Sequence, residues 1–123
     1  MDLSVTPCWR RINKLWEHGV IKKEIAILDA NLVGFGLTVF VSIKTAKHSA
    51  GWLDKFSDAI TAMPEVIELH RMAGDVDYML KIIVSDMTEF DNLYKRLILM
   101  DGLNEVTSRF SMQTIKETTK LPI

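Results

Sequence analysis

From residue 36 onward the apolar residues recur alternately every two residues and about every 3.6, and that succession limits the chain to very few folds. Leu37, Val39, Val41 and Ile43 alternate, predicting a strand with one face buried. Ser49 is placed to cap a helix whose Leu53, Phe56, Ile60 and Met63 share a face, and Pro64 follows its end. Residues 65–73 and 77–84 predict a second and a third strand, joined by the turn Gly74-Asp75-Val76-Asp77. Asp86 with Glu89 forms a variant capping box for a second helix, with Phe90, Leu93, Tyr94 and Leu97 on its apolar face and Asp101-Gly102 as its stop. Val106, Ser108, Phe110 and Met112 then alternate with Thr107, Arg109, Ser111 and Gln113 in a fourth strand. The order βαββαβ predicts an α+β, ferredoxin-like sandwich, a split βαβ with both helices on one face of an antiparallel sheet.

The other face of that sheet is less polar than a solvated one. Phe40 lies on the far side of the first strand, and strands two and three offer apolar residues on both sides. A second apolar face implies cover, most simply by a second copy of the chain.

Ahead of this unit stands Leu3-Ser4-Val5-Thr6-Pro7-Cys8-Trp9-Arg10-Arg11-Ile12, running on through Leu15 to Gly19-Val20-Ile21. Ser4 or Thr6 suits a helix N-cap, Pro7 its first turn and Gly19 its C-terminal cap. Cys8, Ile12, Leu15 and Trp16 recur at helical spacing, while Arg10, Arg11 and Lys14 lie largely off that stripe. One short amphipathic helix cannot bury its own apolar face. Trp9 and Trp16 are therefore expected to pack against further helices or a partner. The whole chain carries a net charge of −1, yet residues 9–23 place Arg10, Arg11, Lys14, Lys22 and Lys23 against Glu17 alone. Such a run is compatible with DNA contact or with an ordinary solvated face. Val20 to Leu28 reads as a connecting strand ending at Asp29-Ala30-Asn31. The chain thus divides into a basic helix (1–20), a connecting strand and hinge (21–35) and the sandwich (36–123).

The string L-S-x-T-P-C-W-R-R-I-x-x-L-x-x-x-G-V-I resembles the recognition helix of the Lrp/AsnC family, the feast/famine transcription regulators of bacteria and archaea. Gly36 to Val41, Met63-Pro64-Glu65-Val66, the turn Ala73 to Tyr78 and the tail Lys116 to Ile123 resemble that family's effector-binding (RAM-type) half. T-P-C-W, R-M-A-G-x-x-D-Y and T-T-x-L-P-I further resemble the branch with a cysteine-responsive detoxification regulator. In the family two helices precede the recognition helix in a helix-turn-helix. The present sequence has no room for them, so residues 1–20 are expected to be a remnant of that domain. The resemblance implies contact with double-stranded DNA through Ser4, Thr6, Arg10, Arg11 and Lys14, arginine gripping guanine or phosphate and lysine phosphate. It also implies a homodimer that associates further, into an assembly such as an octamer.

A small amino acid is the effector the resemblance implies, bound at the G-D-x-D-Y turn where dimers meet. Gly74 permits close backbone approach, and exposed turn amides suit a carboxylate. Asp75 or Asp77 suits an ammonium, while Tyr78, Met72 and His70 would shape the side-chain end. Thr107 and Ser108 match family positions that approach the ligand. Read without the resemblance, the same Gly and Asp residues simply build a tight turn.

Nothing points to an enzyme: no nucleophile stands with a base, and Asp75, Asp77 and Glu65 make no convincing catalytic pair. No P-loop or dinucleotide fingerprint implies a cofactor. His18, His48, His70 and Cys8 lack the close spacing of a structural zinc site. The lone Cys8 fits a reducing cytoplasm, and no stretch approaches the ~20 apolar residues of a membrane span. A stand-alone amino-acid-sensing or oligomerisation module that never touches DNA is the alternative reading.

Overall fold

A computed structural model describes residues 5–123, with side chains from Cys8 onward. Its elements are α1 (Val5–Glu17), β1 (Leu37–Thr45), α2 (Ala50–Thr61), β2 (Val66–Arg71), β3 (Tyr78–Val84), α3 (Met87–Ile98) and β4 (Leu103–Phe110). The four strands form one sheet in the order β2-β3-β1-β4, with every neighbouring pair antiparallel. This is the βαββαβ arrangement expected, with β3 inserted between β1 and β2. No helix among the described residues is long and apolar enough to cross a membrane.

Period-two alternation decides what each strand buries. Val39, Val41 and Ile43 of β1 and Leu80, Ile82 and Val84 of β3 are fully buried toward the helices. They meet Phe56 and Ile60 of α2 and Phe90, Leu93 and Leu97 of α3 in one core. Each such side chain contributes roughly 1.5–3 kcal/mol by leaving water. Ser49 caps α2 by accepting from the Trp52 N–H at 3.2 Å, and Asp86 caps α3 by accepting from the Glu89 N–H at 2.9 Å. Glu89 reaches back to the Ser85 N–H at 2.9 Å, one residue before the cap, so the box closes a step wider than expected.

The junction between β1, α2 and β4 is tightly tied. Thr45 Oγ1 donates to the Gly102 carbonyl at 2.6 Å and accepts from the Lys47 N–H at 3.0 Å. Trp52 Nε1 donates to the Asp101 carbonyl at 2.9 Å. Gly102 has φ +87°, and a Cβ there would stand 2.8 Å from Lys47 Cδ and from Trp52 Nε1. Glycine is required at this position by both conformation and space.

Two expectations need revision. Residues 20–28 form no strand: residues 22–28 make no backbone–backbone hydrogen bond within the described chain, and Val20, Ile25, Ile27 and Leu28 are exposed. β-branched composition favours extended backbone, but a ladder requires a neighbour and none of this chain's strands lies beside it. β4 also ends at Phe110, which packs edge-on against Phe90 with ring centroids 5.2 Å apart. Ser111 still donates to the Thr38 carbonyl at 3.0 Å, but Met112 is fully out in solvent.

Candidate functional site

The sheet face away from the helices is open. Phe40, 38% exposed, lies there as expected, and the register sets Lys81 and Arg109 on either side of it. Glu68 and Lys81 are cross-strand partners on this face, their charged atoms 3.6 Å apart. Lys81 also stands 3.9 Å from Glu117 of the C-terminal tail, which crosses one end of the face. His70 meets Glu68 at 2.8 Å, and that hydrogen bond is the first cause holding the Glu68 carboxyl below the ordinary glutamate range. His70 is thereby placed on the edge strand rather than at the turn.

The 72–78 turn splits the expected effector residues into distinct groups. Its hairpin is closed by the Met72 N–H donating to the Asp77 carbonyl at 2.8 Å. Gly74 has φ +131°, a conformation that side chains resist, and nothing stands within 4 Å of where its Cβ would be. Met72 and Asp75 are exposed. The Asp77 carboxylate is engaged: its Oδ2 accepts from the Thr45 N–H at 2.8 Å, and the Asp77 N–H donates to the Ile43 carbonyl at 2.9 Å. Asp77 therefore ties the turn to the end of β1. Tyr78 points into the core, its ring 5.0 Å from Phe56 and 6.3 Å from Trp52. Thr107 and Ser108 are consecutive on β4 and so project to opposite faces. Thr107 pairs with Ser42 on the open face, and Ser108 with Val41 on the core face.

Asp75 and Thr107 meet in a recess of about 220 Å³. Ser42 and Lys44 of β1 and Glu105 and Arg109 of β4 complete its polar lining. The register explains the assembly: Lys44 lies opposite Glu105, Ser42 opposite Thr107 and Phe40 opposite Arg109. Lys44 Nζ sits 3.5 Å from Glu105 Oε2, and Arg109 Nη1 donates to Ser42 Oγ at 3.0 Å. Ser42 is only 3% exposed, so this hydroxyl forms a floor rather than a rim. Sequence reasoning missed these four residues. The alternation of Glu105, Thr107 and Arg109 in the sequence was a usable signal for their common face.

At the other end of the chain α1 presents Arg10, Arg11 and Lys14 to solvent. Trp9, Ile12, Leu15 and Trp16 are also exposed, so the apolar stripe of α1 lies uncovered among the described residues. Ser4 and the side chain of Thr6 lie outside the described residues. Among the described residues no group of His, Cys, Asp and Glu is arranged to hold a metal ion.

A basic helix thus stands ahead of a ferredoxin-like sandwich whose turn borders a polar recess. Residues 38–121 match the Lrp/AsnC ligand binding domain, and residues 1–22 match a winged helix-turn-helix DNA-binding model. The chain belongs to the Lrp/AsnC family of transcriptional regulators. It is 46% identical over 124 residues to the DNA-binding transcriptional activator DecR of Escherichia coli K12, covering 100% of this chain and 82% of DecR. Among solved structures it superposes on an AsnC family transcriptional regulator from Agrobacterium tumefaciens with TM-score 0.92 and 51% identity, over 98% of this chain and 78% of that one. It also superposes on the transcriptional regulator NMB0573 of Neisseria meningitidis, solved as its L-Met complex, with TM-score 0.90 and 30% identity, again over 98% and 78%.

Proposed function

We propose that this regulator holds a small amino acid at the 72–78 turn, in the recess shared with β1 and β4. The observation that carries the reading is the meeting of Asp75 from the turn with Thr107 from β4 in one small polar cavity. Asp75 supplies the anion for an ammonium group, because the Asp77 carboxylate already accepts from the Thr45 N–H. Met72 and Gly74 belong to the turn that carries Asp75. Tyr78 and Ser108 act from behind, through the packing that positions the turn and β4. At about 220 Å³ the recess is smaller than the roughly 300–1,000 Å³ of drug-sized pockets, which favours a ligand of few heavy atoms. Cysteine is the first ligand to try, on the likeness to the DecR branch, and methionine the second, because the N. meningitidis relative was solved with it. The test is a calorimetric screen of the amino acids against the wild-type chain and Asp75→Ala. Binding by the wild type and at least tenfold weaker binding by the variant is expected; no amino acid binding the wild type at millimolar concentration refutes the reading.

Two further parts complete the proposal. Arg10, Arg11 and Lys14, with Ser4 and Thr6, contact double-stranded DNA, the exposed cations supplying phosphate affinity. The open sheet face pairs with a second copy of the chain. Phe40, Ile67 and Ile83 give it an apolar centre, and Lys81 and Glu68 beside them supply both signs of charge, as a two-fold contact needs. Dimers of this kind would then associate into a larger assembly, such as an octamer. Light scattering on Phe40→Asp tests the pairing: dissociation of the dimer is expected, and an unchanged assembly places the contact elsewhere. Family membership and the lone Cys8 support a cytoplasmic setting.

A further inference from the structure

His70 belongs to a row of ionisable groups on the open sheet face. The register of β2 sets Glu68 opposite Lys81 and His70 opposite Met79 on that face, while Arg71 pairs with Tyr78 in the other phase of the strand. His70 Nε2 meets Glu68 Oε1 at 2.8 Å, and Lys81 Nζ stands 3.6 Å from Glu68 Oε2. The same Nζ stands 3.9 Å from Glu117 Oε2, on the tail that crosses one end of the face. Four side chains from β2, β3 and the tail thus run on as one chain of contacts.

The signs in that row do not balance while the imidazole is neutral. Two carboxylates, Glu68 and Glu117, then share the single ammonium of Lys81. The hydrogen bond from His70 holds the Glu68 carboxyl low, so it is the carboxylate rather than the acid that occupies this face. Other cations do not make up the difference. Lys116, next on the tail, forms no ion pair among the described residues; Lys44 is engaged by Glu105, and Arg109 reaches Ser42 beyond β1. As the face stands, Glu68 and His70 are about half exposed and Glu117 more so, and water carries the surplus charge. A second copy laid on the face removes that water. A covered charge without a partner is costly, whereas one that is paired and hydrogen-bonded is tolerated. Protonated His70 supplies the missing cation, and the row then alternates in sign from end to end.

We infer that His70 makes the pairing of two copies proton-linked: covering the open face takes up a proton at each His70, so the pair tightens as the solution turns acid. This rests on the copy-on-copy pairing proposed above and adds its regulation. The sign follows from linkage. A group that holds its proton more firmly in the pair than in the separated copies shifts the equilibrium toward the pair as pH falls. An imidazole changes charge between about pH 5 and 8, so the effect lies in that interval, and two copies bring two such groups. Acid is therefore expected to favour the assembled regulator and mild base the separated chains.

The experiment is sedimentation velocity with the full chain, over a dilution series at pH 8, 7 and 6. The wild-type dissociation constant of the pair is expected to fall by about tenfold to a hundredfold between pH 8 and pH 6, as the uptake of up to two protons requires. His70→Gln keeps a hydrogen-bonding side chain that cannot take a charge. It should lose most of that change; whatever His18 and His48 contribute survives in it and is thereby measured. Glu68→Gln removes the surplus anion, so it should pair at pH 8 at least as tightly as wild type and gain nothing on acidification. A wild-type pair that does not tighten toward pH 6 overturns the inference, as does a His70→Gln variant with the full wild-type pH dependence. If wild type stays a single chain at micromolar concentration at every pH, the pairing reading itself fails, and the inference with it; pairing that ignores His70 removes the inference alone.

Discussion

Removing the Asp77 carboxylate separates its structural role from a ligand-binding one. Its Oδ2 accepts from the Thr45 N–H at 2.8 Å, and Thr45 is 5% exposed, so water cannot readily replace the missing acceptor. A hydrogen bond to a charged group contributes about 1.5–3 kcal/mol, and a buried N–H left without a partner costs a similar amount. Asp77→Ala should therefore destabilise the effector domain by about 1.5–3 kcal/mol. At about 4–8 °C per kcal/mol for a domain of this size, the melting temperature should fall by about 6–24 °C. Asp77→Asn keeps an oxygen acceptor and should lose less than half of that. Thermal unfolding followed by circular dichroism reads both, with calorimetry on the same samples well below their melting temperatures. An Asp77→Ala variant that melts with the wild type yet no longer binds an amino acid would refute the argument, because it would make Asp77 a ligand group and the Thr45 contact incidental.

Gly102→Ala should destabilise by about 1–3 kcal/mol, since it combines an unfavourable φ of +87° with a Cβ 2.8 Å from Lys47 Cδ and Trp52 Nε1; urea unfolding with an unchanged midpoint would contradict it. The Glu68 carboxyl, held low first by its hydrogen bond to His70, should titrate higher in His70→Ala by carboxyl NMR. Because the folded-state value is the depressed one, the pair's small contribution to stability is present at neutral pH and is lost as pH falls through that value; an unmoved Glu68 titration in the variant would remove it. Neutralising Arg10, Arg11 and Lys14 together should flatten the salt dependence of DNA affinity by about 0.9 log unit per log unit of salt for each phosphate that α1 no longer neutralises, and an unchanged slope would exclude α1 from the DNA interface.

The core was legible in the sequence because burial imposes its own period. Val39, Val41 and Ile43 could face the helices only in one phase, and Phe90, Leu93 and Leu97 share a face at helical spacing. The recess was less so. It depends on which β1 residue lies opposite which β4 residue, a long-range register that includes a shift between Lys44 and Thr45. Asp77 illustrates the same limit. Its carboxylate looks free beside Gly74 in the sequence, and only the closed sheet brings the Thr45 N–H to it. The connecting segment failed for a different reason: Ile21, Ile25 and Ile27 carry strand-like composition, but pairing belongs to two segments and the sequence displays one.

The effector is proposed to sit between the 72–78 turn and β4 rather than elsewhere on the sandwich. Mapping backbone amide shifts by NMR as the tightest-binding amino acid is titrated to saturation tests it directly. Saturable shifts centred on Asp75, Thr107 and Arg109 are predicted, with the groove of about 560 Å³ lined by Lys47, Trp52, Lys55 and Met100 on the helical side left unperturbed. Shifts centred on Trp52 and Lys55, with Asp75 and Arg109 still, would contradict the account.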